Sequence, residues 1–155
     1  MKALAIGLMM WMQANCNVPG VHMEQDFCDL RLNLPAPNIV LIDKQDLFYE
    51  FQNQHGKLAA GISAKDIIGF YNFNSDTIYL ESKRDYFNDP LAQTNLVHEL
   101  VHYIQDMNNV PYQYCSSLLE IPAYLMQLHV YNKKFGLRAT APDMYRYNES
   151  CNTLY

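Results

Sequence analysis

Residues 98–102 read His98-Glu99-Leu100-Val101-His102, inside a segment that has little choice but to be a helix. Asn88-Asp89-Pro90 supplies an N-cap and a proline at the first helical position, and Asn109 and Pro111 supply a stop after about Met107. Between these limits Leu96, Val97, Leu100, Val101 and Ile104 make the helix mostly apolar, which predicts burial and obliges its polar side chains to find partners. Residues four apart on a helix are separated by about 40° around its axis, so both imidazoles leave one face and converge. An H-E-x-x-H on a helix is the pattern that holds zinc through two histidines. Its glutamate, here Glu99, then serves as general base toward a zinc-bound water. The bland alternative is a surface helix with an idle pair of histidines, and the apolar pattern argues against it.

A catalytic zinc takes a third protein ligand and keeps one position open. Downstream candidates are Asp106, Glu120, His129, Asp143 and Glu149. Asp106 lies one turn beyond His102 on the same helix and cannot easily reach the same ion. It fits better as an acceptor for a histidine's other N–H. The continuation H-x-x-G-x-x-H is absent. Glu120 opens the next helix, expected over roughly Leu118 to Phe135 with Gly136 past its end, and a turn between antiparallel helices returns it opposite the histidine pair. Glu120 is therefore the expected third ligand. If that helix is regular, Tyr124, Gln127 and Tyr131 share the direction of Glu120, while His129 points away and reads as a structural or surface histidine. Tyr124 is the expected donor to a tetrahedral oxyanion, with Tyr112, Tyr114 and Tyr147 as rivals.

The rest of the chain predicts a short β-element ahead of these helices. Asn38–Asp43 reads as a buried strand, Asp46–His55 as a helix stopped by Gly56, and Ile67–Asn72 with Thr77–Glu81 as a β-hairpin. The strand Thr77–Glu81 is either a docking edge for an extended peptide or an ordinary sheet edge. At 155 residues there is room for one domain, and the fold class is α+β. With 11 Lys+Arg against 16 Asp+Glu the chain is acidic, which disfavours nucleic acid and anionic membrane as partners.

Lys2 followed by the apolar run Ala3–Met12 has the form of a signal peptide, too short to span a bilayer, with a cut expected after Ala14 or alternatively after Gly20. The reading is a leader over residues 1–14 and a single domain over 15–155, secreted or periplasmic and without stable membrane insertion after processing. A buried N-terminal helix is the competing reading. Export turns Cys16, Cys28, Cys115 and Cys151 into two disulfides, and of three possible pairings Cys16–Cys28 with Cys115–Cys151 is expected.

His98-Glu99-Leu100-Val101-His102 followed by Leu119-Glu120-Ile121-Pro122-Ala123-Tyr124 resembles the gluzincins, compact zinc metallopeptidases, over roughly residues 65–131. The resemblance implies a small zincin-like fold, His98, His102 and Glu120 as zinc ligands, and Glu99 as catalytic base. The expected function is hydrolysis of peptide bonds in a peptide or protein substrate. Two others compete with it: a zinc hydrolase acting on another amide, such as a cell-wall cross-link, and an inert zinc-stabilised binding protein whose site is closed by a fourth ligand, with Glu149 foremost.

Overall fold

The computed structural model describes residues 1–18, 27–56, 61–111 and 116–138. Tyr112, Tyr114, Cys115, Asp143, Tyr147, Glu149, Cys151 and the alternative cut after Gly20 lie outside the described residues. The order of elements is α1 (Lys2–Ala14), β1 (Asn38–Ile42), α2 (Lys44–His55), β2 (Gly69–Asn72), β3 (Thr77–Glu81), α3 (Pro90–Met107) and α4 (Ser116–His129). Single 3-10 turns sit at Phe27–Asp29 and Ala64–Asp66, and a π-helical turn, Val130–Lys134, continues α4. Among the described residues this is a small α+β fold of four α-helices and one three-stranded sheet.

Local chemistry sets the element ends. Asp43, expected as the last residue of the first strand, instead caps α2, accepting from the N–H groups of Gln45 at 2.8 Å and Asp46 at 3.1 Å. The helix therefore starts at Lys44, ahead of the apolar pattern, and ends at Gly56 with φ +53°, a conformation that suits glycine. Asp89 caps α3 by accepting from Leu91 N–H at 2.9 Å, with Pro90 behind it as expected. Asn108 closes the other end: its side-chain amide accepts from Arg31 N–H at 2.7 Å and donates to Arg31 O at 3.0 Å, fastening an N-terminal segment to the helix.

The sheet order is β1-β3-β2. β1 runs parallel to β3 from the pair Asn38–Thr77 to Ile42–Glu81, and β2 runs antiparallel to it from Gly69–Leu80 to Asn72–Thr77. Two expectations change here. β1 is an edge strand with Leu41 exposed, not a buried one. Thr77–Glu81 is the central strand with both edges paired, so it offers no docking edge. The hairpin pattern shows that β2 and β3 pair, but not which flank of the pair a distant parallel strand takes.

α3 is the centre of the main core. Leu96, Val97, Leu100, Val101 and Ile104 are fully buried against β2, β3, α4 and α1. Residues 2–14, read from sequence as a leader, form α1 here, and Ala5, Leu8, Met9 and Met12 join the same core. Trp11 stands 5.6 Å, ring to ring, from His129, whose imidazole also bonds the main chain of Asn15, giving that histidine a structural place. Immediately after α1 comes the Cys16–Cys28 disulfide, the expected partner choice for these two residues. Pro122 falls within α4 without ending it, and Ala123 and Met126 beyond it are fully buried.

Candidate metal centre

The histidines of α3 and the glutamate of α4 meet at one point. His98 Nε2 and His102 Nε2 lie 3.2 Å apart. Glu120 completes a triangle, Oε2 at 3.1 Å from His98 Nε2 and Oε1 at 3.3 Å from His102 Nε2. Ligand atoms about 2.0–2.1 Å from a tetrahedral ion are separated from one another by about 3.3 Å, so the triangle already has the edge length of such a site. The donor set fits a metal chemically as well, with two imidazole nitrogens and one carboxylate able to hold a cation together. Exposure grades across the group, with side chains at 12% for His98, 8% for His102 and 32% for Glu120, so the open side lies toward α4.

With a proton in place of a cation, the same group is strongly polarised. Burial opposes protonation of His102, but hydrogen bonding to Glu120 and the Glu120 charge outweigh it and hold the imidazole up at about 9. Burial also works to raise Glu120, and the two histidines overcome it, leaving this carboxyl far below its usual range.

Glu99 sits beside the triangle and outside it. It is buried at 8% exposure, and burial pushes its carboxyl above the ordinary range. The charges of His98 and His102 oppose that rise, Glu120 adds to it, and the main-chain N–H of Tyr71 on β2 holds the carboxylate. Residue 69 of the same strand is glycine, which lets β2 lie close against the central strand. A Cβ there would stand 2.6 Å from Leu80 Cδ2, 3.0 Å from Tyr79 O and 3.6 Å from Glu99 Cγ. The outward C=O of Tyr71 is taken too, accepting from Gln54 Nε2 at 3.0 Å. At Tyr71, therefore, the outer edge of β2 is already occupied by the protein's own groups.

The structure brings five of the sequence-derived residues together: His98, Glu99, His102, Glu120 and Tyr124. The Tyr124 ring stands edge-on to His98 with centroids 4.5 Å apart. Gln127 donates to Asn95 Oδ1 at 3.0 Å and latches α4 to α3. Among the described residues Asp106 does not serve a histidine. It accepts from the Tyr71 hydroxyl at 2.8 Å, and the acceptor facing His102 Nδ1 is Gln105 Oε1 at 3.0 Å. A carboxylate four residues past a histidine sits nearly above it, but β2 claims that face of α3, and Tyr71 reaches Asp106 first.

His55, not singled out from sequence, also borders the site. Burial holds its imidazole below the usual range while the Glu120 charge pulls it up and His102 pushes it down, and its ring packs 4.3 Å from Phe51. Its position depends on how α2 crosses the sheet, which the local pattern does not carry.

Fold and site together define an α+β domain in which two neighbouring helices turn a His–His–Glu group onto one point beside a buried glutamate. The chain belongs to the DUF6647 family, a domain of unknown function, which matches residues 8–141. No curated protein and no solved structure matches the chain.

Proposed function

We propose that this protein is a zinc-dependent peptidase of the gluzincin kind, acting on a peptide or protein substrate. The observation that carries the reading is the triangle of His98 Nε2, His102 Nε2 and Glu120 with edges of 3.1–3.3 Å and a buried glutamate alongside it. His98, His102 and Glu120 would hold the ion. When bound, zinc supplies Lewis acidity for a scissile carbonyl and lowers the pKa of a water in the open position.

The chain's own residues do the rest. Glu99, raised by burial and fixed by the Tyr71 N–H, is suited to take a proton from the attacking water and return it to the leaving amine. Tyr124, packed on His98, is the proposed donor to the oxyanion. Among the described residues three donors converge and the Glu120 side chain is a third exposed, an arrangement in which the catalytic reading keeps the fourth coordination position for water.

Export belongs to the same proposal. The Cys16–Cys28 disulfide supports a secreted or periplasmic protein. No described helix is long and apolar enough to cross a membrane. The excess of acidic residues supports a peptide partner over nucleic acid. The test is metal analysis of purified protein together with cleavage of an unfolded protein substrate, with and without chelator. Near-stoichiometric zinc and chelator-sensitive cleavage are expected, and zinc-loaded protein that leaves every peptide and amide substrate intact overturns the enzymatic reading.

A further inference from the structure

Gln105 lies on α3 one turn beyond His102 and is buried at 2% exposure. Its side chain makes two contacts of opposite polarity: Oε1 stands 3.0 Å from His102 Nδ1, and Nε2 donates to the main-chain carbonyl of Leu119 at 3.0 Å. The second contact fixes the first. A carbonyl only accepts, so the NH2 end of the amide must face Leu119, and the oxygen must then face His102. An amide oxygen only accepts, so His102 Nδ1 carries a hydrogen, and the ring's other nitrogen, Nε2, is the one left to face His98 and Glu120.

The carbonyl held by Gln105 belongs to the residue immediately before Glu120. One buried side chain thus orients the imidazole that α3 contributes and anchors the backbone from which α4 presents its carboxylate. Nothing equivalent serves His98, whose Nδ1 is buried without a hydrogen-bond partner among the described residues and whose ring is braced by Tyr124 packing. The group is therefore asymmetric: His102 and Glu120 are tied to one another through Gln105, and His98 is positioned separately.

We propose that Gln105 is the positioning residue of this metal site, fixing His102 in the Nε2-ligating form and setting the start of α4 so that Glu120 meets it. This rests on the zinc reading above. Gln105 touches neither ion nor substrate. Because the outer partner of His102 is a neutral amide and not a carboxylate, it sets the ring's orientation without adding negative charge to the site.

The test is zinc affinity, by competition with a chromophoric chelator, for the wild-type protein and Gln105→Leu, with 15N–1H correlation of the histidine rings in the zinc-loaded wild type. Gln105→Leu is expected to bind zinc 10–100-fold more weakly, the usual cost of losing an outer partner of a ligand. The spectrum is expected to show His102 Nδ1 protonated and Nε2 on the metal. Wild-type protein that binds zinc while the Leu variant binds it equally well overturns the role of Gln105 and leaves the metal site standing. Zinc bound through His102 Nδ1 overturns it too, and does so even where the Leu variant fails to fold. Wild-type protein that takes up no zinc overturns the metal reading itself, and the proposal with it.

Discussion

Glu120 faces both histidines at once, Oε2 toward His98 Nε2 at 3.1 Å and Oε1 toward His102 Nε2 at 3.3 Å. In metal-free protein a proton holds this group together, and that makes stability depend on pH. His102 is raised from 6.5 to about 9, so its contribution is complete below pH 6.5 and is lost as pH climbs through 9. Glu120 is lowered from 4.5, so its contribution is present above pH 4.5 and lost below it. Glu99 is raised from 4.5 by burial, so its contribution is complete below pH 4.5 and is lost as pH rises from there. Thermal unfolding of metal-free protein is expected to peak between pH 4.5 and 6.5 and to fall toward pH 9. Saturating zinc should flatten the alkaline side, because the ion replaces the proton on His102. A midpoint that rises across the alkaline range without metal would contradict the pairing.

Glu99 and Glu120 are assigned different work, and two substitutions separate them. Glu99→Gln keeps an acceptor for the Tyr71 N–H and removes the proposed base. Zinc content should stay the same while turnover drops by about 10²–10⁴-fold. Glu120→Ala should cost zinc affinity more than the roughly 10–100-fold typical of an outer partner. Metal stoichiometry and cleavage rate, measured on the same preparations, distinguish the two.

Tyr124→Phe removes one hydroxyl and keeps the ring that braces His98. If the hydroxyl serves the oxyanion, kcat should fall by about 10²–10³-fold with KM and zinc content little changed. A kcat equal to wild type would reduce Tyr124 to a packing residue.

Gly69→Ala inserts a methyl group where Leu80 Cδ2 is 2.6 Å away and the Tyr79 carbonyl 3.0 Å away. Leu80 is fully buried and the carbonyl belongs to the central strand, so neither yields easily. A loss of about 1–3 kcal/mol is expected in denaturant unfolding, the ordinary range for overpacking. Because β2 also carries the N–H that holds Glu99, turnover should fall further than unfolding at the assay temperature explains.

Removing residues 1–14 takes Ala5, Leu8, Met9 and Met12 out of the core. Each large side chain among these is worth about 1.5–3 kcal/mol when fully buried, and together they approach the net stability of a typical domain, about 5–15 kcal/mol. A chain beginning at Asn15 is expected to unfold at a markedly lower temperature than the full chain, or not to fold at all. Calorimetry of the two forms, with the N-terminus of protein recovered from its host read by mass spectrometry, shows which form works in the cell.

What could be read from the sequence was local. Asp89-Pro90, the apolar spacing of Leu96 to Ile104 and the histidine pair four apart are all contained within one helix, and one helix is what they describe. Glu120 was legible because a short turn between two helices leaves few places for the second one to go. The rest needed the third dimension. Asp43 fits the end of a strand and the cap of a helix equally well, and only the start of α2 decides between them. Gln105 carries no charge and sits in an apolar stretch, and its spacing of three from His102 becomes informative only once Leu119 is known to lie opposite. The order of the sheet depends on a parallel pairing between residues far apart, of which neither strand bears a mark.

That parallel pairing also bears on how the chain assembles. Asn38 and Thr77, joined across the first rung, are 39 residues apart, and the helix that α1 packs against, α3, lies later still in the chain. At a synthesis rate of about 5–20 residues per second, the first helix emerges seconds before its partner does. Throughout that interval its apolar residues are available to any factor that binds nascent hydrophobic segments. Closure of the domain is governed by contacts that only the completed second half can supply, and a chain of this topology folds after synthesis more than during it.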